Sequence, residues 1–196
     1  TAAYAGGLSP AAVMKQHREI DALNAKLERF RIVKCIESDI RADGSLDYDE
    51  DVLKSFELII ASVHSGLNMN EADATKRVVK AIENPYTAIL GHLTGRLLLA
   101  REGYPLDMEK VVDACVRNRV AIEINADPHR LDMDWRHIKR ARDNGAMFSI
   151  GPDAHSVEGM DNMQYGVGIA RKGWLGPGHI VNCMTLDQLF AWRMGK

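Results

Sequence analysis

Cysteine is scarce in this chain of 196 residues: Cys35, Cys115 and Cys183 are odd in number, widely spaced and set among apolar or helical residues. They outline neither a disulfide framework nor a Cys-x-x-Cys metal site, and a reducing cytoplasm is the expected location. An excess of one charge is lacking too, since 25 Lys and Arg face 27 Asp and Glu for a net charge of −2. The broad basic footprint of a nucleic-acid binder is therefore absent, and nucleic acid is not indicated as a partner beyond what a local basic rim would hold. The longest apolar runs, such as FELIIASV, have the length of a strand and not of a membrane span. The opening TAAYAGG lacks the charged-then-apolar pattern of a leader, so neither targeting nor membrane association is expected. No repeat or low-complexity tract interrupts the chain. Trp135, Trp174 and Trp192 fall in amphipathic segments and read as core or interface rather than as a stacking platform.

What is present is a 46% hydrophobic chain of a size suited to one domain, residues 1–196. Ser9-Pro10 caps a helix expected to run to about Glu28, and RFRIVKCIES follows as a strand. Asp43-Gly44 marks a turn before a short helix around DVLKSF. ELIIASVH reads as a strand, NEADATKRVVKAIEN as a helix capped by Asn70, and YTAILGH as another strand. DMEKVVDACVRN, VAIEIN, DWRHIKRARDN stopped by Gly145, and AMFSI continue the alternation of helix and strand. NMQYGVGIARKG is a helix with small residues for close packing, and Thr185 to Gln188 forms a capping box opening LFAWRM. Successive β-α units predict an α/β fold with a parallel sheet, open or barrel-like, whose active edge lies at the strand C-termini.

Ligand-type residues sit at those ends. Glu37 follows RIVKCI, His64 follows ELIIASV, His92 follows TAILG, and Asp153 and His155 follow MFSIGP. Taken singly, a strand-end histidine is more often a hydrogen-bonded loop or core residue than a ligand. Coincidence at three successive ends shifts that balance, because imidazole nitrogen and carboxylate oxygen with a position left for water form a hydrolytic zinc or manganese site. Asp153 and His155, two apart in a segment expected to be extended, would point to the same side. Thr94 and Arg96 follow His92, and a guanidinium there could fork onto phosphate oxygens or simply pair with a carboxylate. Asn125, His129 and Arg130, just past a strand, suit either substrate contact or an ordinary polar loop. His17, His137 and His179 read as solvated surface.

The strings CIESDI, ASVHSGLN, GHLTGRLLLAREGY, IEINADPHRLDMDWR and PDAHSVEGMDNMQYGVGIARKGW together resemble the PHP (polymerase and histidinol phosphatase) domain, in the form attached to bacterial family X DNA polymerases. The resemblance runs from AGGLSP to LFAW. It implies a distorted, TIM-like β/α barrel whose strand ends hold up to three metal ions, usually zinc or manganese, for phosphoester hydrolysis. It would make Glu37 a bridge between two metals, with His64 and His92 completing one site, Asp153 serving the second and His155 the third. The family's opening strand with His-x-His, the His of the next loop and a Thr-Asp-His segment have no counterpart here. The resemblance thus implies a truncated barrel in which only Glu37, His64 and His92 keep a full ligand set, with one metal per chain. Leu93 stands where the family commonly has Pro, and Gly151-Pro152 where it commonly has a polar pair. No polymerase segment accompanies the module, so DNA synthesis is not expected of these residues.

The expectation is a metal-dependent hydrolase of small phosphoesters or other small esters, in which the metal polarises the ester and supplies hydroxide. Asp153 or His155 would handle the proton and Arg96 would steady an anionic group, with Thr94, His129 and Arg130 near the substrate. The alternatives are a catalytically degenerate PHP scaffold, or a fragment of a family X polymerase domain associated with 3'-5' exonuclease activity. Absent strands would leave a bare sheet edge, and self-association as a homo-oligomer is expected to cover it.

Overall fold

Five apolar runs become strands: β1 (Cys35–Asp39), β2 (Leu58–Ser62), β3 (Ile89–Leu90), β4 (Ala121–Asn125) and β5 (Phe148–Gly151). The structure is a computed structural model that describes residues 6–195; residues 1–5, where the segment read for a leader begins, and residue 196 lie outside the described residues. The strands form one sheet in the order β1-β2-β3-β4-β5, with every neighbouring pair parallel. Each crossover therefore steps onward to the next strand. Right-handed crossovers that always step the same way carry the connecting helices to one face and leave the other to curl inward. This is the incomplete, distorted β/α barrel expected from the alternation of elements.

The described residues form seven α-helices: α1 (Pro10–Asn24), α2 (Glu50–Leu53), α3 (Glu71–Glu83), α4 (Met108–Arg117), α5 (Trp135–Asp143), α6 (Met163–Lys172) and α7 (Leu186–Met194). None is long and apolar enough to cross a membrane. The caps behave as their chemistry dictates. Asn70 Oδ1 accepts the Asp73 N–H at 2.9 Å, and Thr185 and Gln188 exchange side-chain bonds across the first turn of α7. α1 ends at Asn24, earlier than expected, because its side chain both donates to Ile32 O at 2.9 Å and accepts the Ile32 N–H at 2.8 Å, pinning the returning chain. β1 starts at Cys35 and not at Arg29, since Glu57 pairs with Arg31 and takes the Lys34 N–H at 2.8 Å before the ladder begins. Trp174 departs from its expected helical, packed place: it lies beyond α6 with φ of +63° and is 70% exposed.

Side-chain alternation along the strands separates two apolar clusters. Ile59, Ala61, Leu90, Ile122, Ile124, Phe148 and Ile150 join the larger core, with Val78, Val111, Ile138 and Ala170 from the helices. The opposite face carries Cys35, Leu58, Ile60, Ile89, Ala121 and Met147 in a smaller cluster closed by Val181, Met184, Leu189 and Trp192. Continuing that second face toward the strand C-termini, the period of two brings Glu37 and Asp39 on β1, Ser62 on β2, and Glu123 and Asn125 on β4. The inward face is thus apolar at its base and polar at its top, and the polar layer is where a site can form. Close approach there depends on Gly91, where a Cβ would stand 2.3 Å from Ser62 Oγ and 2.8 Å from Ile60 Cγ2.

Candidate metal centre

Glu37 lies in the middle of β1, opposite Ile60 of β2, while His64 and His92 stand two residues beyond β2 and β3. Neighbouring parallel strands bring the three side chains together. Glu37 Oε1 is 3.1 Å from His92 Nε2 and 3.4 Å from His64 Nε2, and the two Nε2 atoms are 3.3 Å apart. The imidazoles meet edge to face, 82° between planes. Three ligand atoms at tetrahedral corners around an ion, with bonds of about 2.0–2.1 Å, would be separated by about 3.3 Å. The donor set and its spacing therefore fit a divalent metal ion, and this is the one such cluster of histidine, cysteine and carboxylate groups among the described residues.

The surroundings hold the cluster in shape. Asp39 Oδ1 accepts the His64 backbone N–H at 3.1 Å and lies 3.2 Å from its Nδ1. His92, with φ of +20°, has its N–H accepted by Glu123 at 2.6 Å. Asp39 and Glu123 escaped the reading of strand ends, although an ionisable residue inside the apolar run VAIEIN was the signal available for the second. Asn125 Nδ2 donates to Asp153 Oδ2 at 3.1 Å, and Arg130 Nε donates to the same oxygen at 3.2 Å.

The chain as a whole matches no protein-family model. DNA polymerase/3'-5' exonuclease PolX of Bacillus subtilis (strain 168) is 41% identical over 188 residues, which make up 96% of this chain and 33% of that protein. A probable phosphatase of Thermoanaerobacter sp. (strain X514) is 32% identical over 146 residues, 69% of this chain and 57% of the relative. Another, from Caldanaerobacter subterraneus subsp. tengcongensis, is 30% identical over 140 residues, 66% of this chain and 53% of its own. Polymerase-named and phosphatase-named relatives thus meet on the same residues. The chain belongs to the PHP family. It spans a third of the length of PolX and just over half that of these phosphatases.

Within this PHP domain the other expected site residues divide. Asp153 and His155, expected as further ligands, are not among the three residues whose ligand atoms meet; Asp153 is held by Arg130 and Asn125, and with φ of +51° it does not lie in an extended segment. His155 is 86% exposed, its Nδ1 2.8 Å from the Asp153 carbonyl oxygen and 4.0 Å from Oδ1. Same-side geometry inferred from a spacing of two does not hold, since β5 has already ended at Gly151. Arg96 is committed elsewhere: Nε donates to Arg130 O at 2.9 Å, Nη1 to Asp134 Oδ2 at 2.7 Å, and Nη2 to Leu131 O. Thr94 Oγ1 donates to buried Asp132 Oδ2 at 3.0 Å. His129 is exposed and pairs with Asp127 at 2.9 Å. His17, expected on the surface, is buried with its ring edge against Phe56 at 4.7 Å between centroids.

Electrostatics follow from these contacts. Burial pushes the Glu37 pKa up, but hydrogen bonds from His64 and His92 outweigh it and hold the carboxyl well below its usual range. Asp39 first, then Glu37, raise His64 to about 9 against the opposing effect of burial. Burial raises Glu123 to about 7, with the charges of Glu37 and Asp153 adding to the rise and the contact with His92 opposing it.

Proposed function

We propose that this PHP domain is a metal-dependent phosphoesterase that cleaves a small phosphoester with water, using zinc or manganese held by Glu37, His64 and His92, one ion per chain. The observation that carries the reading is the spacing of the three ligand atoms, 3.1 to 3.4 Å, one from within β1 and two from just past the ends of the adjacent β2 and β3. An ion bound there supplies a Lewis acid for the phosphoryl oxygen and lowers the pKa of water toward neutrality. Asp153, fixed by Arg130 and Asn125, is the carboxylate proposed to accept the proton and return it to the leaving alcohol. His155, with Nδ1 on the Asp153 carbonyl, turns its other nitrogen toward solvent for proton exchange. Arg96 is assigned a part at one remove: by gripping the carbonyls of Arg130 and Leu131 it shapes the loop that presents Arg130. Thr94 likewise supports the loop through Asp132, and His129 stands at the rim.

Relatives named as probable phosphatases support a hydrolase of this class, and the near-balanced charge supports a small substrate over a nucleic acid. Cys35, Cys115 and Cys183, none of them in a disulfide, support a reducing compartment such as the cytoplasm. The test is hydrolysis of an activated aryl phosphate beside the matching aryl carboxyl ester. Phosphate release is expected to vanish with chelator, return with zinc or manganese, and be missing from a His64→Ala, His92→Ala double variant that no longer holds metal. Hydrolysis that persists in excess chelator would overturn the mechanism, and turnover of the carboxyl ester alone would replace the substrate class.

A further inference from the structure

The two histidines of the cluster are supported differently. On His64 the ring nitrogen facing away from the cluster, Nδ1, is 3.2 Å from Asp39 Oδ1, which also accepts the residue's backbone N–H at 3.1 Å. On His92 the corresponding Nδ1 is buried and meets no hydrogen-bond partner among the described residues. Asp39 is itself braced, because Asp47 Oδ1 accepts both the Asp39 N–H at 3.1 Å and the Ser38 hydroxyl at 2.6 Å. With only 15% of its side chain exposed, Asp39 is placed by the end of β1 and not by solvent.

A neutral imidazole carries one ring proton. Where an acceptor faces Nδ1 the proton stays there, the lone pair stays on Nε2, and ring rotation is stopped by the same bond. A carboxylate acceptor also increases the electron donation of Nε2, and losing such a partner commonly weakens metal affinity by roughly 10- to 100-fold. We propose that Asp39 is a positioning residue of the metal centre, which locks His64 with its proton on Nδ1 and its Nε2 lone pair directed at the ion, while His92 has no such lock. This rests on the reading that Glu37, His64 and His92 bind metal. It adds a residue that touches neither ion nor substrate and an asymmetry between two histidines that the ligand set alone does not contain.

The experiment is a zinc titration of the purified chain against a competing chelator dye, with nitrogen-15 NMR of the histidine rings in the zinc-loaded state. Asp39→Ala is expected to lower zinc affinity by about 10- to 100-fold. It should also remove the slowly exchanging His64 Nδ1–H signal and leave the His92 ring signals in place. Asp39→Asn, whose amide oxygen still accepts from Nδ1 but lacks the charge, should retain the His64 signal and lose several-fold less affinity. A general loss of structure would move both histidines together and lower the melting temperature of the metal-free protein, so selective loss at His64 separates positioning from scaffolding. Zinc affinity in Asp39→Ala equal to that of the unaltered chain would overturn the proposal. If Asp39→Ala does not fold, Asp39→Asn decides, and unchanged affinity there overturns it as well. An unaltered chain that takes up no zinc would sink the metal reading itself, an outcome distinct from failure of the Asp39 variants alone.

Discussion

At the scale of single residues, buried carboxylates around the cluster carry opposite obligations. Glu123 is 7% exposed and accepts the His92 N–H, yet burial favours its protonated form. Glu123→Gln keeps an acceptor for that N–H and sheds the buried charge, so it should leave stability at pH 8 unchanged or raised. Glu123→Leu strands a buried donor and should cost about 1–3 kcal/mol in chemical denaturation. A milder effect from Leu than from Gln would contradict this assignment. His64 gives the pH dependence. Its folded pKa of about 9 exceeds the ordinary value of 6.5, so in metal-free protein its stabilising contribution is complete below about 6.5 and disappears as pH rises through 9. Metal must displace that proton, so zinc uptake at pH 7 should release it, and apparent affinity should increase tenfold per pH unit until about 9. Calorimetry in buffers of different ionisation heat reads the proton count directly; a count of zero would place the titration elsewhere.

At the scale of elements, strand ends and the loops that follow them do different work. β2 and β3 each deliver one histidine two residues past the ladder, and Gly91 lets the chain pass close to Ser62. The loop after β4 has no ladder of its own and is built on Arg96, which reaches across from the loop after β3. Arg96→Ala should destabilise the protein by about 1.5–3 kcal/mol, the scale of hydrogen bonds to a charged group. Metal affinity should change little in that variant while turnover falls through misplacement of Arg130. Arg96→Lys, unable to span three acceptors with one ammonium, should recover only part of either loss. If Arg96→Ala instead raised KM with kcat and stability intact, direct substrate contact would be the better assignment.

At the scale of the whole molecule, the open question is the outer edge of β1, which meets no further strand among the described residues. α1 folds back within its own chain: Tyr48 donates to Leu8 O at 2.8 Å, Val13 is fully buried, and Lys34 pairs with Asp21 at 2.6 Å. That packing leaves Met14, Leu23, Leu27 and Phe30 between 39% and 68% exposed along the helix and the turn beyond it. An unpaired edge beside apolar side chains favours association. A homodimer is the expected species in light scattering at micromolar concentration, shifted toward monomer by Phe30→Glu. A strict monomer would mean that Arg31, Lys34 and the shortness of β1 protect the edge sufficiently.

The amino-acid sequence by itself determined the alternation of helices and strands, the caps at Asn70 and Thr185, and three of the residues that meet at the candidate site. Each of these depends on neighbours a few positions away: periodicity selects the element, a polar side chain satisfies the first turn, and a parallel sheet gathers its strand ends. Only the tertiary structure decided how the ends are supported. Asp39 meets His64 across 25 positions and Arg96 meets Asp134 across 38, because strand register and crossover length place them side by side. The same packing turned Asp153 into a left-handed conformation and committed Arg96 to a loop. Hydrogen-bond partners of buried polar groups are chosen by whatever the fold brings within about 3 Å, and no local pattern in the chain specifies that choice.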